Sequence, residues 1–300
     1  MKAIADAVRF LVFTNIYIAT CVLCFTSKTA LLLFGNAGNI HVNALAFSAT
    51  LFLYCFHRIY RRKRLFEDEH KEERHHWVDE RKTLYYVLVF LAFITAASQM
   101  YYMPLRVWLL LAPVGIIALG YSVPFIKTKN GYIRLRDISW LKVFWIGLAY
   151  AMLNTFLPVA YLYPLHSLLQ PNVLFVFAEN FVFIFVLAIP FDIRDVNYDR
   201  RNGVNTLPIL LGNKAAIKLC LLLLCSFVFI AFLHYQFAGL SLPMLFMLIA
   251  SAAETGFFIW RTKPERPNLF FPLAIESSMM IQWALLYACL SLQHSINHLL

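Results

Sequence analysis

Long uninterrupted apolar runs dominate the chain, at roughly 9–34, 40–57, 83–99, 105–121, 141–163, 171–190, 215–234, 240–260 and 269–293. Each is near the ~20 apolar residues that an α-helix needs to cross a bilayer core. In lipid only helices or closed barrels satisfy the backbone. These runs are continuous instead of alternating, which excludes a barrel. The pattern therefore predicts an all-α fold, a polytopic bundle of nine transmembrane helices forming one domain over 1–300. The first run is too long for a signal-peptide core and lacks a small-residue cleavage site. No internal or inverted repeat is evident, which disfavours a secondary transporter.

Composition agrees. Of the 300 residues, 61% are hydrophobic and 14% charged, with a mean hydropathy of +0.67. Soluble domains are far less apolar, and disordered chains are polar. The cysteines at 21, 24, 55, 220, 225 and 289 lie in or beside apolar runs and read as small hydrophobic filler. Charge gives the orientation. With the N-terminus in the cytoplasm, every one of the 26 lysines and arginines except Lys28 and Arg106 falls on the cytoplasmic side. The net charge of +10 thus belongs to one membrane face, where it attracts anionic lipid. Nothing in it calls for nucleic acid. The expected location is the cell (inner) membrane. Inner connections are the longer ones, so chemistry is expected there.

The informative segment is FDIRDVNYDRRNGVNTLPILLG, residues 191–212. Asp192, Asp195 and Asp199 lie at i, i+3 and i+7, within about 60° of arc on one helical face. Carboxylates this close repel one another and require positive charge. Mg²⁺ is the natural partner, since it takes carboxylate oxygens and bridges to phosphate. Arg194, Arg200 and Arg201 stand beside them and offer pairs to the carboxylates or to a phosphate. Gly203 permits a turn, and Pro208 suits a fresh helix start.

This string resembles the second aspartate-rich motif of the UbiA superfamily of intramembrane prenyltransferases. Nine spans, an inside N-terminus and a motif after the sixth span fit that architecture. LGYSVPFIKTKNGYIRLRDISWLKVFWIGLAYA, residues 119–151, resembles the family's connection between spans four and five. Phe271 to Gln282 resembles its last-helix pattern, with Glu276 where an acidic residue is common. The resemblance covers most of the chain, and the second motif is its specific part. It implies transfer of a prenyl group from a prenyl diphosphate, bound through Mg²⁺, to an aromatic or lipid acceptor. Asp192, Asp195 and Asp199 would hold the metal. Arg194, Lys127 and Arg134 would grip the diphosphate.

The first motif of that family is absent. Residues 52–70 read FLYCFHRIYRRKRLFEDEH, with Cys55, His57 and Arg58 where acidic or amide ligands belong. No carboxylate follows until Glu67, Asp68 and Glu69. His57, Arg58, Arg61 and Arg62 would set positive charge opposite the aspartates, able to neutralise a diphosphate or another anionic head group. Adjacent His75 and His76 point to different helix faces, which argues against zinc. Within the spans, Glu179, Asn180, Glu254 and Glu276 should face a cavity or a partner. Glu179 lies 13 residues before Asp192, about 20 Å along a helix, and is expected to pair structurally. Glu276 is placed to contact an acceptor. Two other readings stay open: a non-catalytic anion- or lipid-binding protein on the same scaffold, and a small-anion or lipid transporter.

Overall fold

Asn15 divides the first apolar run in two. It adopts a left-handed backbone, φ 63°, the one non-glycine residue with positive φ among the described residues. Asparagine tolerates that region better than most side chains. The computed structural model describes residues 2–62, 77, 80–122, 126–128, 131–133, 138, 141–201 and 203–299. Before the break runs α1 (Lys2–Phe13), and after it α2 (Ile16–Phe34). The expected single helix over 9–34 is thus a corner. On α1, Ile4, Phe10 and Leu11 are exposed, which suits a membrane surface. Val12 and Phe13 are buried. Tyr85 fixes the corner by donating its hydroxyl hydrogen bond to the Phe13 carbonyl, and Trp77 stacks edge-on against Phe10 and Phe13.

The remaining apolar runs form the expected helices. They are α3 (Ile40–Arg62), α4 (Lys82–Tyr101), α5 (Leu105–Ser122), α6 (Leu141–Leu162), α7 (Pro171–Arg194), α10 (Asn213–Ala238), α11 (Leu242–Trp260) and α12, which continues from Phe271 to Leu299. Two short helices follow α7, namely α8 (Val196–Arg201) and α9 (Leu207–Leu211). Among the described residues eight helices are long and apolar enough to cross a membrane, and Leu105–Ala118 is a ninth, shorter apolar stretch. The chain is an all-α multi-pass membrane bundle. A small antiparallel hairpin, β1 (Ile126–Thr128) with β2 (Gly131–Ile133), is added between α5 and α6.

The bundle is organised around α7, which packs against α6, α10, α2 and the first turn of α12. Phe25 of α2, Phe183 of α7 and Phe227 of α10 are fully buried and touch in series, with ring centroids 5.8 and 5.4 Å apart. By contrast, α4 lies at the rim and exposes Tyr86, Phe90, Leu91, Phe93 and Ile94, an apolar face that lipid can solvate. A smaller core of Ala19, Leu51, Cys55, Tyr85 and Ala92 joins α2, α3 and α4.

Two helices contain π turns, α6 at Met152–Phe156 and α12 at Phe271–Glu276. In α6 the cause is local. Pro158 has no N–H for the carbonyl of Asn154, and the helix widens immediately before it. Gly147 decides how closely α6 meets α7. A Cβ there would sit 3.3 Å from Phe181 Cε2 and 3.4 Å from the Phe181 carbonyl oxygen, so glycine permits the approach.

Candidate functional site

At the C-terminal end of α7 the chain turns through Asp195 (φ −88°, ψ 6°) into α8. The helical bonds Asp195 N–H to Phe191 O and Asp199 N–H to Asp195 O survive this break, at 3.0 and 2.9 Å. Gly203 (φ 68°) then reverses the chain, with the Val204 N–H returned to the Asp199 carbonyl at 2.9 Å. The three aspartates expected on one face are consequently not equivalent. Asp192 and Asp199 are each 2% exposed. The Asp195 side chain is 29% exposed.

The two buried carboxylates share one cation. Lys142, the second residue of α6, places its Nζ 2.5 Å from Asp192 Oδ1 and 3.5 Å from Asp199 Oδ2. The missing Cβ at Gly147 allows the α6 backbone to lie close to α7. Asp192 Oδ2 is buried and has no hydrogen-bond partner among the described residues. Arg194 forks onto Asp195, with Nε 2.7 Å from Oδ1 and Nη2 3.1 Å from Oδ2. Its guanidinium also lies over Phe191 and Phe271, at 5.2 and 5.4 Å from the ring centroids. A buried carboxylate oxygen without a donor is costly, and it marks where a further cation is welcome.

The residues fit Mg²⁺. Hard carboxylate oxygens are its protein ligands, and one or two of them suffice when phosphate oxygens and water complete the octahedron. A preformed three-ligand cage is a different matter. No group of three or more His, Cys, Asp or Glu side chains is gathered for a metal among the described residues.

The other nominated residues lie as follows. Arg200 is exposed in the last turn of α8, and Lys127 is exposed on β1. Arg58 donates from Nε to Asn15 Oδ1 at 3.4 Å, and Cys55 Sγ donates to the Thr14 carbonyl at 3.4 Å. That end of α3 is therefore tied to the corner between α1 and α2. His57 is half-buried beside Phe56. Arg134, Glu67, Asp68, Glu69, His75 and His76 lie outside the described residues.

Glu276 is half-buried at the end of the α12 π turn. Tyr17, Cys21 and Tyr150 are its neighbours. Around it Tyr54 and Tyr150 share a hydrogen bond of 2.7 Å, and Tyr17 bonds Ser277. Four helices, α2, α3, α6 and α12, thus meet in one polar hub.

A second polar network lies nearer the opposite end. Lys28 was assigned by position to the outer surface, yet it is 0% exposed. Its Nζ donates to Asn180 Oδ1 at 2.5 Å, and Asn180 Nδ2 donates to Thr29 and Thr155 at 3.1 and 2.8 Å. Glu179 pairs with His234 Nδ1 at 2.9 Å, as the structural expectation for it required. A cleft of about 230 Å³ at that end is lined by Asn36, Asn39, Val42 and Tyr161 among others, and it offers no carboxylate or cation.

Sequence reasoning overlooked Lys142. The available signal was a lysine one position into the 22-residue apolar helix Leu141–Leu162, where an unpaired charge is expensive.

The model of the UbiA prenyltransferase family matches residues 75–286. No match to a curated protein sequence was found. Among solved structures, a UbiA homolog from Archaeoglobus fulgidus bound to DMAPP and Mg²⁺ superposes with a TM-score of 0.64 at 14% identity. That match covers 94% of this chain and 99% of the other. The same homolog bound to GPP and Mg²⁺ gives a TM-score of 0.63, again at 14% identity and with the same coverage. The apo structure of a UbiA homolog from Aeropyrum pernix K1 gives 0.62 at 16% identity, covering 93% of this chain and 98% of that one.

Proposed function

The chain belongs to the UbiA prenyltransferase family, and on that premise we propose that it transfers a prenyl group from a prenyl diphosphate to a hydrophobic or aromatic acceptor within the membrane. The observation that carries this reading is the aspartate end of α7. There Asp192 and Asp199 are buried, and Asp192 Oδ2 faces no donor among the described residues. The A. fulgidus homolog binds DMAPP and GPP with Mg²⁺, and the same donors and metal are assigned here.

Asp192 would hold the ion, with Asp195 and Asp199 as the further carboxylates of the site. Bound there, Mg²⁺ supplies positive charge to the departing diphosphate. Arg194 stands at the mouth, oriented by Asp195 and by two aromatic faces, and meets the diphosphate from the side. Arg200, Lys127 and Arg134 add positive charge on the approach. His57 and Arg58, at the end of α3, take the place of the missing first motif and contribute cations in place of metal ligands. Phe191 and Phe271, 5.8 Å apart, wall the start of the prenyl tail and exclude water. Glu276, with Tyr17, Tyr54 and Tyr150, holds the acceptor through its hydroxyl or ring substituents and receives the proton that the acceptor gives up. The aspartate end faces the cytoplasm, the N-terminus lies on that side, and the cell (inner) membrane is the site of action.

The test uses purified protein, Mg²⁺, labelled geranyl diphosphate and a panel of aromatic and lipid-alcohol acceptors. Release of diphosphate with transfer to at least one acceptor is expected. Neither release nor binding across prenyl chain lengths would overturn the reading. Binding without release would assign the chain to the non-catalytic anion-binding alternative.

A further inference from the structure

We propose that Lys142 is a positioning residue whose ammonium serves as a resident second cation, so that the aspartate end takes one divalent ion per chain. The inference rests on the prenyl diphosphate reading above and concerns how that site is charged.

The ammonium lies between Asp192 Oδ1 and Asp199 Oδ2, at 2.5 and 3.5 Å. That is where an ion bridging the two carboxylates would sit. Lys142 is only 8% exposed, so water does little to stabilise its charge and the carboxylates must. A lysine suits the role because its ammonium is a compact point charge with three donors, able to face two acceptors and a third group at once. Its engagement of Oδ1 fixes the Asp192 rotamer and leaves Oδ2, buried and without a donor, as the position for a metal. Gly147, with no Cβ to meet Phe181, lets α6 lie close enough to α7 for this pairing.

Residue chemistry elsewhere agrees. At the end of α3 the chain carries Cys55, His57 and Arg58, none of them a carboxylate that would hold a second hard ion.

The experiment counts metal. Mn²⁺ is titrated into the detergent-purified chain, with and without a non-hydrolysable geranyl thiolodiphosphate, and free Mn²⁺ is read by electron paramagnetic resonance. The wild type should bind one Mn²⁺ per chain. Lys142→Met, which removes the charge but keeps the length, should bind a second ion or bind the first at least about tenfold more tightly, since a like charge is gone from its side. Lys142→Arg should keep the count at one. Two ions or none in the wild type would overturn the proposal, as would an unchanged titration in Lys142→Met. The wild-type count needs no variant, so a folding failure in Lys142→Met leaves the test intact. Failure of the transfer reading shows separately, as absent diphosphate release. A count of one that rises in Lys142→Met supports Lys142 even if no prenyl group moves.

Discussion

Lys142 Nζ stands 1.0 Å nearer to its Asp192 contact than to its Asp199 contact, 2.5 against 3.5 Å. The two carboxylates are equally buried, at 2% exposure each, and Asp192 makes the shorter contact with the ammonium. Asp192→Asn should therefore be the more damaging change. It deprives a buried ammonium of its nearest counter-charge, at about 3–5 kcal/mol of stability. It should also lower kcat/KM by at least about a hundredfold through lost diphosphate stabilisation. Asp199→Asn should cost less on both scales. Thermal unfolding in detergent and steady-state kinetics on the two variants would check the order.

Gly147 is the hinge of this geometry. Gly147→Ala places a Cβ 3.3 Å from Phe181 Cε2 and 3.4 Å from a carbonyl that cannot rotate away. Gly147→Leu should cost about 1–3 kcal/mol through overpacking and move Lys142 off the aspartates. Mn²⁺ affinity should then change together with stability. A stability loss with unaltered Mn²⁺ binding would show that the approach of α6 to α7 does not set the ion pair.

Lys28 should prove structural. Its removal in Lys28→Met leaves Asn180 Oδ1 without its donor and takes one positive charge from the neighbourhood of the buried Glu179. A loss of about 3–5 kcal/mol is expected, with diphosphate binding per folded molecule unchanged. Ligand binding measured on the fraction that survives heating separates the two effects.

At the corner between α1 and α2, Asn15→Ala should destabilise by about 1–2 kcal/mol, because alanine resists the left-handed backbone. Asn15→Gly relieves the backbone but still loses the contacts to Cys55 and Arg58. It should recover part of the loss, as unfolding temperatures would show.

Glu276→Gln should raise the KM for a hydroxylated acceptor by about tenfold or more, the worth of a charged hydrogen bond. The KM for geranyl diphosphate should hold steady. A matched rise in both would place Glu276 at the diphosphate instead.

The membrane-crossing helices were legible because lipid allows the backbone few alternatives and because apolar length is read directly from residue order. The corner at Asn15 was not, since one left-handed residue leaves no trace in an apolar run. Asp192, Asp195 and Asp199 stood out by spacing, but their inequality did not. It depends on the break at Asp195 and on Lys142, 50 positions before Asp192. Lys28 illustrates the same gap. Counted by position it belonged to the outer surface, and only the facing Asn180, 152 positions later, turns it inward.

The widened turn of α6 has a consequence for evolution of the chain. One extra residue in a turn rotates everything beyond it by about 100° relative to a regular helix. The first half of α6 aims Lys142 at the ionic mouth, while the widened turn itself aims Asn154 and Thr155 at the sealed amides and hydroxyls of α2 and α7. Deleting a single residue between Met152 and Phe156 would force those two loyalties onto one stripe, and one of them would have to be abandoned.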